Sequence, residues 1–199
     1  ASCNQTVTVV DNEPPSIACP VNTTLGTNTG CTYVGNFGTP VVVDNCGSVG
    51  SPTNDAPSAF AMGTTTVQWQ VVDGAGNTST CSHTVTVVDD DAPSITCSAN
   101  TTVNADAGVC YATNVALGTP LTGDNCTVNA PTNNAPTQFN NGNNTVVWSV
   151  SDASGNTASC NQTVTVVDNE PPSIACPVNT TLGTNTGCTY VGNFGTPVV

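Results

Sequence analysis

Residues 64–72 (TTTVQWQVV) alternate polar and apolar side chains, which puts Val67, Trp69 and Val71 on one face and threonine and glutamine on the other. A period of two over that length predicts a strand with one face buried. The pattern returns at Val146, Trp148 and Val150. Each run leads into a glycine-containing turn, DGAGN at 73–77 and DASGN at 152–156, as expected of a tight hairpin. A closing strand follows, over 82–88 in the first case and through Val164, Thr165 and Val166 in the second. Upstream, residues 16–19 predict a short strand after a proline pair, and 32–43 a longer strand broken at Gly35 and Gly38. No stretch carries the 3.6-residue period of a helix.

These elements repeat. Residues 1–42 recur unchanged at 158–199, and within that unit a weaker repeat is marked by cysteine. Cys3, Cys81 and Cys160 lie 78 and 79 residues apart, as do Cys19, Cys97 and Cys176. Cys31, Cys110 and Cys188 follow the same spacing, and Cys46 corresponds to Cys126 within DNC triplets at 44–46 and 124–126. The repeat therefore predicts two whole modules, 11–88 and 89–167. Residues 1–10 read as the last strand of a preceding module and 168–199 as the first part of a third.

Composition narrows the class. The chain has 199 residues with 11 cysteines, no lysine or arginine, 13 acids and one histidine, for a formal charge of −13. Without cations it cannot neutralise phosphates, so nucleic acid and anionic membranes are excluded as partners. Evenly spread cysteines, with no C-x-x-C and a single histidine, read as disulfides formed in an oxidising compartment rather than as zinc ligands. No apolar run in the segment is long enough to span a bilayer.

The motifs resemble the hyalin repeat (HYR) family. They are Pro14-Pro15-x-Ile17-x-Cys19-Pro20, Asp44-Asn45-Cys46-Gly47, Gly63 to Val67, the 73–77 turn, Cys81 and Val85-Thr86-Val87. In the second module Pro93-x-Ile95-x-Cys97, Asp124-Asn125-Cys126, the 152–156 turn, Cys160 and Val164-Thr165-Val166 match, while Ala92 and Ser98 replace prolines. The resemblance implies an all-β fold of tandem immunoglobulin-like β-sandwich modules in an extended array, extracellular or on a cell surface. It supplies no ligand.

Four cysteines per module allow three pairings. In a sandwich of this kind, with the first strand running down and the second up, the expected bridges are Cys19–Cys31 and Cys46–Cys81. The corresponding pairs are Cys97–Cys110, Cys126–Cys160 and Cys176–Cys188, with Cys3 bridging to a residue outside the segment. The same topology gathers the acids. Asp11 and Glu13, then Asp89, Asp90 and Asp91, then Asp168 and Glu170 mark the junctions; Asp44 and Asp124 belong to the DNC triplets, and Asp73 and Asp152 to the turns. Asp and Asn are ordinary turn formers, but their joint placement without one basic residue points to Ca²⁺ held by carboxylates at each joint. Asn12, Asn45 and Asn77 are candidate carbonyl donors.

Among the N-x-S/T sequons, Asn22, Asn100 and Asn179 share one module position and are the best glycan acceptors, followed by Asn4, Asn161 and Asn143. Asn77 and Asn125 are poor acceptors. His83 aligns with Gln5 and Gln162, which argues against a catalytic base and predicts a surface polar residue. Trp69 and Trp148 are expected in the core. No nucleophile–base pair or cofactor motif is present, so the chain is expected not to be an enzyme. The expected role is a structural fibre or stalk of modules in series, with lateral self-association into a filament through threonine-rich strands. An adhesin binding carbohydrate or protein is the alternative.

Overall fold

The computed structural model describes residues 1–185, 187–189, 191–193 and 195–198. The first module holds eight strands: β1 (Ser16–Ala18), β2 (Thr23–Gly26), β3 (Thr32–Tyr33), β4 (Val41–Val43), β5 (Thr53–Asn54), β6 (Phe60–Ala61), β7 (Gly63–Val72) and β8 (Thr78–Val88). The long alternating run becomes β7, and β8 is its hairpin partner, with Trp69 opposite Cys81. These two anchor a four-stranded sheet in the order β2-β8-β7-β5. The short antiparallel pairs β1–β4 and β3–β6 complete the module. Val67, Trp69, Val85 and Val87 of the large sheet are buried with Phe60 of β6, and Ile17, Leu25, Tyr33 and Phe37 pack against them. The aromatic ring of Phe37 meets Phe60 edge-on at 5.0 Å, a favoured arrangement.

The expected strand over 32–43 is two strands, β3 and β4, with different partners. Gly38, at φ +104°, turns the chain between them where a side chain would be strained. Strand β2 carries no strong apolar signal, yet it runs parallel to β8 with Leu25 opposite Val87. The chain from β1 to β2 thus leaves one sheet and joins the other.

That crossing overturns the expected disulfides. Cys19 sits where the chain changes sheets and bonds Cys81, Cα to Cα 5.8 Å. Cys97 bonds Cys160 in the same way, also at 5.8 Å. Cys31 cannot reach Cys19. It lies beyond β2, at the end where the Thr27 amide donates to Val88 O, about 23 Å along β8 from Cys81 at the usual rise per residue. Cys46–Cys81 and Cys126–Cys160 fail because Cys81 and Cys160 are already bonded to Cys19 and Cys97. Cys97–Cys110 fails for the reason that Cys19–Cys31 does. Cys31 bonds Cys126 instead, with Cα atoms 4.9 Å apart. Cys3, Cys46, Cys110, Cys176 and Cys188 are unpaired and exposed, so the expected Cys176–Cys188 bridge is absent too.

The second module repeats the plan with β9 (Ser94–Thr96), β10 (Thr101–Asn104), β11 (Tyr111–Thr113), β12 (Leu121–Gly123), β13 (Thr132–Asn133), β14 (Gln138–Asn140), β15 (Gly142–Ser151) and β16 (Thr157–Val167). Its large sheet has the order β10-β16-β15-β13, with β10 parallel to β16. Val146, Trp148, Val150, Val164 and Val166 are buried, as the alternation requires. By internal contacts the chain forms two compact units. The first, residues 1–98, 119–134 and 147–161, takes the whole first module and the acidic end of the second; the rest forms the other.

His83 is not on the surface. It is 3% exposed, accepts a hydrogen bond from Trp69 Nε1 at Nδ1 (3.3 Å), and lies 3.2 Å from Phe37 O at Nε2. With Nδ1 accepting, the proton belongs on Nε2, which donates to that carbonyl. Gln162 is equally buried and donates to Ala99 O and Leu117 O at 2.8 and 2.9 Å. This position ties the core to a loop carbonyl in both modules.

Candidate metal site at the module junctions

The 73–77 turn is organised by one carboxylate. Asp73 Oδ1 accepts from the Ala75 and Asn77 amides at 2.9 and 2.8 Å, and Oδ2 accepts from Asn77 Nδ2 at 2.8 Å. Gly76, at φ +96°, lets the chain reverse within that ring. Asp152 repeats the arrangement with the amides of Ser154, Gly155 and Asn156 and with Asn156 Nδ2. Burial alone would raise both carboxyls. The hydrogen bonds from the Asn side chains and the turn amides outweigh it and hold both below their ordinary value.

The junction and the DNC loop close on this turn. Ligand-type oxygens of Asp11, Asp44 and Asp73 all lie within 4.8 Å of one another. Asp44 Oδ2 accepts from the Cys46 amide at 3.1 Å, while its Oδ1 is buried with no hydrogen-bond partner. Glu13 is held alongside by Asn45 Nδ2 at 2.6 Å. The sign of the local field is written on Cys46, whose thiol is pushed up first by Asp11, then by burial and by Asp44, Glu13 and Asp73.

The second junction reproduces this. Asp89, Asp124 and Cys126 offer ligand atoms within 4.8 Å of one another. Asp124 Oδ2 accepts from the Cys126 amide, and its Oδ1 is again buried without a partner. Ser154 Oγ reaches Asp89 Oδ2 at 3.5 Å, and Asn156 Nδ2 reaches Asp89 O at 3.1 Å, so the Asp152 turn is docked on the junction. Asp91 accepts from Asn125 Nδ2 at 3.0 Å, and Asp90 lies against Gly26, where an added Cβ would strike its carboxylate. At the third junction Asp168 Oδ1 accepts from the Glu170 amide, and Glu170 Oε2 accepts from the Gly108 amide at 2.7 Å.

The orphaned oxygens fit a hard divalent cation. A buried carboxylate oxygen without a donor is costly, and oxygen-only coordination by several carboxylates suits Ca²⁺ better than any softer ion. Asp11, Asp44 and Asp73 form one donor set and Asp89 and Asp124 the core of the other; the Cys126 sulfur, held in its disulfide, is the wrong donor for such an ion. Asn45 and Asn77 bind the acids through their amide nitrogens. Their Nδ2 groups donate to Glu13 and Asp73, and Asn77 also to Asp11 O and Glu13 O, so they work as neutral stand-ins for absent basic residues.

The expected glycan acceptors Asn4, Asn22, Asn100, Asn143, Asn161 and Asn179 are all exposed. Asn22 and Asn100 use only Oδ1, accepting from the amides of Thr84 and Thr163. Asn77 and Asn125 both spend Nδ2 on carboxylates.

Serial β-sandwich modules with disulfide-tied cores and acidic joints define a class of extracellular modular proteins. The HYR domain profile matches residues 10–87 and 88–166, and the chain belongs to that family. It is 31% identical to Hyalin of Strongylocentrotus purpuratus over 212 aligned positions, covering 96% of this chain and 17% of that protein. Among solved structures, the protocadherin GammaB4 extracellular domain aligns over 80% of this chain and 33% of its own, at 13% identity and a TM-score of 0.34. Mouse PcdhgC3 EC1-3 aligns over 79% and 69% at 13% identity, with a TM-score of 0.32. HYR modules are non-enzymatic, adhesion-type units, and the chain is extracellular or cell-surface. Among the described residues no helix is long and apolar enough to cross a membrane.

Proposed function

We propose that this chain is a load-bearing segment of an extracellular fibre or stalk, built of HYR modules in series whose joints are stiffened by Ca²⁺. The observation that carries the reading is the buried, unpartnered Oδ1 of Asp44, repeated at Asp124, each beside further carboxylates at a module joint. A single such atom is an oddity, but the same atom orphaned at both joints is a design. Ca²⁺ would take Asp11, Asp44 and Asp73, with Glu13 beside them, at one joint and Asp89 and Asp124, with the Asp152 turn beside them, at the other. It would cancel repulsion that no lysine or arginine relieves. Its partners are then further modules of the same kind in series. Catalysis has no place in this reading.

The test is thermal unfolding of residues 1–199 with millimolar Ca²⁺ and with chelator, alongside small-angle X-ray scattering. Ca²⁺ raises the midpoint, by about 2.7 kcal/mol of stability per site at a hundredfold excess over Kd, and the shift is lost in the Asp44→Asn/Asp124→Asn double variant. Scattering shows longer, stiffer particles in Ca²⁺ than in chelator. Identical midpoints and particles in both conditions would remove calcium from the account.

A further inference from the structure

The Cys31–Cys126 bridge joins two modules, and the repeat gives it a meaning beyond this pair. Cys31 lies in the turn between β2 and β3, at the end of the first module that faces the second. Cys126 lies in the DNC loop of the second. The surroundings are fitted to each other. Asn125 Nδ2 donates to Thr27 Oγ1 at 2.9 Å and to Asp91 Oδ2 at 3.0 Å. Met62 Sδ lies 3.7 Å from Cys126 Sγ, and a Cβ on Gly30 would lie 3.8 Å from Asn125 O.

Cys110 occupies the position of Cys31 one module on, and Cys46 occupies that of Cys126 one module back. Both are exposed thiols. Beside Cys110 half of the same joint is already built. Glu170, in the place of Asp91, accepts from the Gly108 amide at 2.7 Å, and Asn169, in the place of Asp90, donates to Asn104 Oδ1 at 2.8 Å. An open cleft there is lined by Gly108, Val109, Cys110, Asp168, Glu170 and Ser173. At the first joint, residues of the corresponding strip, Asp91 and Ser94, are flanked by Asp124 and Asn125 of the DNC loop.

We propose that every joint in an array of these modules carries a disulfide staple, from the Cys31-type cysteine of one module to the DNC cysteine of the next. Cys110 then takes the DNC loop of a further module into its cleft, and Cys46 takes the Cys31-type turn of another. The Cys19–Cys81 type of bridge closes each module, and the staple closes each joint. Ala105 stands where Thr27 does, so the Cys110 joint has one hydrogen bond fewer. Each staple forms by loss of two protons and two electrons from a thiol pair to a disulfide oxidant such as oxidised glutathione, which is reduced to two thiols. The proposal rests on the serial-module part of the functional reading and not on calcium.

The test appends residues 43–157 after Val199, so that the second copy of the 1–42 segment continues as the first does. The chain is refolded with reduced and oxidised glutathione in chelator, blocked with an alkylating agent, digested without reduction and mapped by mass spectrometry. The expected map contains Cys31 linked to Cys126 and Cys110 linked to the appended copy of Cys46. Cys110→Ser then frees that appended thiol for alkylation and leaves Cys19–Cys81 and Cys97–Cys160 intact. Cys110 alkylated, or linked to any other cysteine, while Cys19–Cys81 has formed would overturn the proposal. Because no metal is present, that outcome is separate from failure of the calcium reading.

Discussion

His83 and Gln162 show how one position meets the same demand with different chemistry. Each is buried and each spans from the core to a loop carbonyl. His83→Gln is therefore expected to keep the fold near wild-type stability. His83→Ala strands the Trp69 indole N–H and the Phe37 carbonyl, at a cost of roughly 1–3 kcal/mol in chemical denaturation. Asp73 and Asp152 carry a pH signature. Their carboxyls lie below the ordinary 3.8 in the folded chain, so the unfolded chain takes up protons first as pH falls. Their contribution is complete above about pH 4 and is lost as pH drops through the folded values. In chelator, the thermal midpoint should fall as pH drops below about 4, and Asp73→Asn/Asp152→Asn should flatten that slope.

Among the elements, the β7–β8 hairpin was legible because alternation, turn chemistry and the tryptophan all agree on it. Strand β2 was not, because four residues of mixed polarity carry no period, and only its parallel pairing with β8 makes it a strand. That one element moved the disulfides. A bridge closing a loop of 62 residues contributes about 4 kcal/mol on the chain-entropy view. The Cys19→Ala/Cys81→Ala variant should lose an amount of that order in urea unfolding, whereas Cys31→Ala/Cys126→Ala should leave each module's hairpin as stable as before.

For the whole chain, the disulfides decide how it bears load. The loop closed by Cys31 and Cys126 overlaps the one that Cys110 would close with the next module, so no residue from Cys31 onward would lie outside a loop. Under tension the covalent path per module would run only through residues 81–97 between the bridges within modules, or 110–126 between staples, at most about 55 Å either way. A module with every disulfide reduced would release its full length of 78 residues, about 265 Å. Single-molecule pulling on the extended chain should therefore show no long unfolding steps until reductant is added, and steps of roughly module length afterwards.

Alternation, turn residues and the 78- or 79-residue cysteine spacing were enough to determine from the sequence the fold class, the module count and the junctions where acids collect. They could do so because period two and turn chemistry act between near neighbours. Which cysteines meet, that the one histidine is buried and which carboxylate oxygen is left without a donor were decided only in three dimensions. The cysteine pairing depends on the crossing of β1 into β2 and on the approach of one module's end to the next module's DNC loop. Such contacts join residues about sixty to a hundred positions apart, as with Cys19 and Cys81 at a separation of 62 and Cys31 and Cys126 at 95, and no local pattern encodes them.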